Sequence, residues 1–190
     1  MRRTMPRLAV LAVLLASFTV PCHAWEKVLS GYQIFRLFSI PYRSEIFAIT
    51  RGGYSQLLKS TDGGQTWQEK FAGPNSMEAM AWDPAGYLYL TVDNGKLWRS
   101  LDFGETWEQA PAAGLPAEWV PSAVFDTYTN RLYVGTGGGG VWASTDHGNS
   151  FVSCGGDSYN YSLYSGPSDA SGTTGMILAG TYFSGILRML

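Results

Sequence analysis

Three octets divide this chain into near-equal parts. Ser60–Trp67 reads STDGGQTW, Ser100–Trp107 reads SLDFGETW and Ser144–Phe151 reads STDHGNSF. All three fit S-x-D-x-G-x-(T/S)-(W/F), and their starts lie 40 and 44 residues apart. A period of this length means that one supersecondary unit is copied along the chain, each copy burying its apolar faces against its neighbours. The flanks repeat as well. EIFAITRGGYSQLLKS, YLYLTVDNGKLWRS and RLYVGTGGGGVWAS each place an apolar strand, a glycine or polar turn and a second short strand before an octet. After it the strands WQEK, WEQA and FVSC follow. A fourth copy begins at Met176 as MILAGTYFSGILRML, with Gly180-Thr181 matching Gly135-Thr136 and Gly185 matching Gly140.

The octet composition has a physical reading. Gly64, Gly104 and Gly148 supply a backbone conformation that other residues resist. Asp62, Asp102 and Asp146 can accept hydrogen bonds from the amides of their own turn, and the hydroxyls of Ser60, Ser100 and Ser144 can close the same network. Trp67, Trp107 and Phe151 then bury a large ring that ties the turn to the core. A catalytic carboxylate is needed once, in one place. Three copies of the same Asp argue for a structural role, so these twelve residues are assigned to the scaffold.

Four short strands in forty-odd residues predict a β-propeller blade. The expected class is all-β, with four-stranded antiparallel blades over about 32–70, 77–110, 119–154 and 160–190. The high aromatic and glycine content fits short strands and tight turns: 7 Trp, 11 Tyr and 23 Gly. The last blade has three strands. Residues 25–29 begin WEK, like the strands that follow the octets, and are expected either to complete that blade and close a ring, or to belong to a blade outside the chain. The second case is a truncated larger propeller, and a ring shared by two short chains is the remaining expectation.

Residues 1–24 read as a secretory signal peptide: Arg2, Arg3 and Arg7, then an apolar run of about 13 residues, then Cys22 and Ala24 near a cleavage point. The run is too short to span a bilayer comfortably. The propeller domain is therefore expected over 25–190, in a secreted or periplasmic location. Three of the thirteen Lys and Arg lie in the leader, leaving ten against fifteen Asp and Glu. Without a basic stripe, nucleic acid is not an expected partner. Cys154 is the one cysteine left, and it is expected to be a buried small hydrophobe.

The octets resemble the Asp-box, or BNR repeat, of sialidases, xyloglucan-active propeller hydrolases, sortilin-type receptor domains and photosystem II assembly factors of the Ycf48 type. The tandem form over Gly95–Trp107 most resembles the last group and the xyloglucanase-like propellers. The resemblance implies a propeller and leaves activity open, because unlike activities share this scaffold. A sialidase would need an Arg-Ile-Pro motif and an arginine triad. Ser39 precedes Ile40-Pro41 here, and no triad can be assigned among Arg36, Arg43, Arg51, Arg99, Arg131 and Arg188. Arg99 and Arg188 are expected on solvated faces.

A glycosidase needs two carboxylates about 5–10 Å apart. Loops could bring Glu78 or Asp83 near Glu118 or Asp126, although Asp83-Pro84 and Asp126-Thr127 also look like turn starts. His147, in the variable slot of the third octet, is expected to face solvent. No catalytic residue, metal or cofactor is assigned. Tyr159, Tyr161 and Tyr164 alternate and offer a candidate ligand face for sugar or protein. Asn160-Tyr161-Ser162 fits an N-glycosylation sequon. The leading expectation is an extracytoplasmic scaffold that binds a protein or a carbohydrate. The alternative is a glycoside hydrolase, or a fragment of one.

Overall fold

A computed structural model describes residues 26–73, 76–156 and 159–189. The described chain is all-β and forms four antiparallel sheets in sequence order. The first holds β1 (Gln33–Ser39), β2 (Ile46–Arg51), β3 (Ser55–Ser60) and β4 (Gln68–Gly73). The second holds β5 (Met77–Trp82), β6 (Leu88–Val92), β7 (Lys96–Ser100) and β8 (Glu108–Gln109). The third holds β9 (Ser122–Asp126), β10 (Arg131–Gly135), β11 (Val141–Ser144) and β12 (Val152–Gly155). The fourth is β13 (Asn160–Pro167), β14 (Gly175–Thr181) and β15 (Ile186–Met189). Among the described residues this last sheet has three strands, and 26–30 form none. Trp25 and the leader lie outside the described residues.

The first strands of all four sheets face one space. Leu37 and Phe38 of β1, Ala79 and Met80 of β5, Ser122 and Ala123 of β9, and Ser162 and Leu163 of β13 line a cavity of about 140 Å³. This is the axis of the propeller. The second strand of the second sheet lies deepest, flanked on both faces: every residue of Leu88–Val92 is buried. The fourth strands lie outermost and read as exposed, all four residues of β12 among them. Cys154 therefore lies exposed on β12 as a free thiol. The expectation of a buried cysteine was wrong, because the apolar-looking FVSC is an outer edge of which only Phe151 is buried.

Three apolar seams join the sheets. Phe47, Ile49 and Leu57 pack on Met77, Met80, Leu88 and Leu90 between the first and second. Tyr89 and Leu97 pack on Val120, Leu132, Val134 and Phe151 between the second and third. Between the third and fourth, Tyr133, Val141 and Ala143 meet Ile177 and Ala179. This last seam is the loosest, with an apolar cavity of about 330 Å³ beside Val141, Cys154, Leu187 and Met189.

Candidate functional site

Antiparallel succession gives the propeller two ends. One carries the turns between third and fourth strands, where the octets lie. The other carries the turns between second and third strands and the links from one sheet to the next.

At the octet end the same bonds recur. Ser60 Oγ donates to Asp62 Oδ1 at 2.8 Å and accepts from the Gly64 amide at 2.8 Å. Ser100 does the same at 2.8 and 2.7 Å, and Ser144 at 2.8 and 2.9 Å. Thr66, Thr106 and Ser150 each give their amide and hydroxyl to the matching Asp. Trp67 and Trp107 donate through Nε1 to the carbonyls of Gly64 and Gly104. Phe151 has no such donor, and its backbone amide bonds to the Ala113 carbonyl instead.

These donors favour the ionised carboxylate. The Thr66 hydroxyl and amide hold Asp62 at about 2. At Asp102 and Asp146 burial pushes the carboxyl up, and the surrounding hydroxyls and amides overcome it, again to about 2.

Two octets also dock on the preceding sheet. Lys59 Nζ donates to the Phe103 carbonyl at 2.7 Å and to Glu105 at 2.6 Å. Arg99 Nη1 donates to the His147 carbonyl and to Asn149 Oδ1, both at 3.0 Å. Arg99 is thus a seam residue, not the solvated cation expected. His147 is not free in solvent either. Its ring stacks on Tyr87 at 4.2 Å, and Nδ1 lies 2.9 Å from the Tyr89 hydroxyl, which itself donates to Asp83. The repeat concealed this, because its partners come from another sheet. Burial, and then the Asp83 carboxylate, push the Tyr89 hydroxyl well above its ordinary range.

The carboxylate pairs considered from sequence are split between the ends. Asp83 caps its turn through the Tyr87 amide, and Asp126 does so through Thr129. Both lie at the octet end. Glu78 and Glu118 lie at the loop end. There Arg51, Ser76, Glu78, Asp93, Asn94 and Trp119 line an open, polar cavity of about 500 Å³. Glu78 is 1% exposed, and both its oxygens accept from Arg51 at 3.2 and 3.1 Å. Arg51 in turn lies 3.7 Å from the centre of the Phe35 ring.

Aromatic rings continue the rim. Trp119 meets Tyr161 edge-on at 5.2 Å, Tyr161 meets Tyr182 at 5.8 Å, and Phe183 packs on both Tyr182 and Tyr159. Tyr159 and Tyr161 therefore join this cluster. A register shift between Asn160 and Ser162 breaks the alternation, and Tyr164 stands apart on the flank of the fourth sheet, opposite Leu178. Asn160, the acceptor position of the sequon, is fully buried.

Sequence reasoning missed Arg51, Asn94, Trp119, Tyr182 and Phe183 as a group. A signal existed. Most of them sit where the repeats, once aligned, stop agreeing: 51–53, 93–95 and 182–184 are equivalent turns with unlike residues.

No family model matches the sequence. Xyloglucanase Xgh74A of Acetivibrio thermocellus is 32% identical over 107 residues, which is 50% of this chain and 12% of that enzyme. The chain thus spans a small part of the curated relative it matches. Among solved structures, a GH74 enzyme of Niastella koreensis superposes with a TM-score of 0.59 at 21% identity, over 82% of this chain and 30% of that one. Ycf48 of Cyanidioschyzon merolae superposes with a TM-score of 0.61 at 14% identity, over 88% and 56%. The chain has the β-propeller fold of these proteins. It resembles both the xyloglucanase and the Ycf48 propellers.

Proposed function

We propose that residues 25–190 form an extracytoplasmic binding or assembly propeller, exported by the leader at 1–24, with Asp-box octets as its framework. Its protein or glycan partner sits on the loop end. The observation that carries this reading is the cavity itself. Arg51 occupies both oxygens of Glu78, so the most buried carboxylate there is committed to an ion pair rather than to proton transfer. What remains open is a polar floor beside the rings of Trp119, Tyr161 and Tyr182, which gives flat apolar area and hydroxyls together. Among the described residues no helix is long and apolar enough to cross a membrane.

The similar proteins supply both ligand classes to try. One is a xyloglucanase, and one Ycf48 structure has a D1 peptide bound. A hydrolase is the second reading, because Asp93 shares the cavity with Glu78.

Titration with xyloglucan oligosaccharides and, separately, with unstructured peptides should perturb tryptophan fluorescence in one series, and Trp119→Ala should lose that response. Release of reducing ends from xyloglucan, abolished by Asp93→Asn, would replace the scaffold with the hydrolase. No response in either series, with the protein folded, would sink the loop end as the binding site.

A further inference from the structure

The loop end carries negative charge that the fold leaves unmatched. Arg51 is the one cation lining its cavity among the described residues, and Glu78 neutralises it with both oxygens. The guanidinium also lies against the Phe35 ring, so this pair is closed on itself. Asp93 is different. It lines the same cavity, half-buried, and its carboxylate makes no hydrogen bond or ion pair among the described residues. Lys96, the next cation along the chain, stands opposite Val92 at the start of β7 and does not line the cavity.

Glu118 adds a second unmatched carboxylate. Its Oε2 is buried without a hydrogen-bond partner among the described residues. The Gly95 amide donates to the Glu118 carbonyl at 2.7 Å, which ties the turn of Asp93 to the segment that carries Trp119. Glycines keep this place open. A Cβ on Gly137 would come within 3.2 Å of the Trp119 ring, and one on Gly138 within 3.0 Å of the Glu118 carboxylate. The indole and the carboxylate thus pack on bare backbone, where a side chain would displace them.

An aromatic face beside unmatched carboxylates is chemistry that holds a cation. The whole chain pulls in the same sense, since residues 25–190 hold ten Lys and Arg against fifteen Asp and Glu. The rings also run on past the cavity, from Trp119 to Tyr161 at 5.2 Å, to Tyr182 at 5.8 Å and to Phe183 at 4.7 Å. Tyr182 and Phe183 are 67% and 70% exposed. A rim of that extent suits a protein surface rather than a lone small cation.

We propose that the loop end docks a basic segment of a partner protein. A Lys or Arg side chain enters the cavity against Asp93 and Trp119, and the chain on either side of it lies on Tyr161, Tyr182 and Phe183. The proposal rests on the loop end being the binding face, and it selects a protein over a glycan. A neutral glycan would bring hydroxyls to Asp93 but no charge to match it.

The test is calorimetric titration of the purified protein with three capped octapeptides, of alternating Gly-Lys, Gly-Ser and Gly-Glu, and with xyloglucan oligosaccharides. The Gly-Lys peptide should bind about tenfold more tightly than any of the others. Asp93→Asn keeps the size of the side chain and removes its charge, and it should raise the Gly-Lys dissociation constant about tenfold, as should Trp119→Ala. Glu69→Gln removes an equal charge from the exposed outer strand of the first sheet. It should change that constant by less than about twofold. Circular dichroism checks that each variant folds.

A Gly-Lys peptide that binds wild type, Asp93→Asn and Trp119→Ala equally overturns the proposal, because net charge alone then explains the attraction. Equal or tighter binding of the Gly-Ser peptide or of xyloglucan oligosaccharides, lost in Trp119→Ala, overturns the basic partner and leaves the loop end as the binding face. No binding in any series, with the protein folded, overturns both.

Discussion

At the octet end Asp62, Asp102 and Asp146 each bind the hydroxyl and amide four places along the same short turn, in three nearly identical copies. At the loop end the equivalent turns hold Arg51, Asp93 with Asn94, and Tyr182 with Phe183, and each has its own set of neighbours. Repetition marks what every blade needs in order to fold. Departure from repetition marks what one place on the surface needs in order to recognise something. In a repeat protein the two are separated in space as well as in sequence, so changes at one end should move stability and changes at the other should move binding.

The largest effect is expected at an octet glycine that docks. Gly148 has φ +82° and its added Cβ would run into Leu97 of the preceding sheet. Gly148→Ala should cost about 3 kcal/mol, from left-handed strain plus overpacking. Gly64→Ala is the control. Its φ is +91°, but the new Cβ would meet only Trp67 at 3.7 Å, so about 1 kcal/mol is expected. Denaturant unfolding of both variants would measure the difference, and equal losses would mean that octet docking adds nothing.

Next comes Asp102→Ala, which strips the acceptor from Ser100, Glu105 and Thr106 and should cost about 2 kcal/mol. Asp93→Ala at the loop end should stay within about 0.5 kcal/mol. Matching losses would break the contrast between the ends.

Acid should act on the octets too. Their folded carboxyls lie at about 2, below the ordinary aspartate value near 4. A depressed folded value gives stability that is present above about pH 4 and lost as pH falls towards 2. Melting temperature should therefore decline across that window. Replacing all three Asp by Asn should flatten the decline.

Trp119→Ala should have only a small effect on stability, about 1 kcal/mol for the lost edge-on contact with Tyr161. Ligand affinity should fall about tenfold in the same variant. A large loss of stability without a loss of binding would move Trp119 from recognition to framework.

Much of the architecture was legible because octet chemistry is local. Ser100 to Asp102 and Asp102 to Thr106 span two and four residues, so spacing alone states which groups can meet. Strand composition and period then placed four sheets in order. Position within a sheet was harder to read. FVSC looks apolar but forms an outer edge, and Cys154 is exposed for that reason. The tyrosine alternation was read as one strand face, which a single register shift undoes.

The unit is written locally: its length, its turns and the residues that hold each turn closed all follow from contacts within a few positions. How units meet emerges only when the sheets pack. Arg51 finds Glu78 across 27 residues, Lys59 finds Glu105 across 46, and His147 finds Tyr89 across 58. Such contacts depend on the register and stacking of whole sheets, and no spacing along the chain encodes which side chains those sheets bring together.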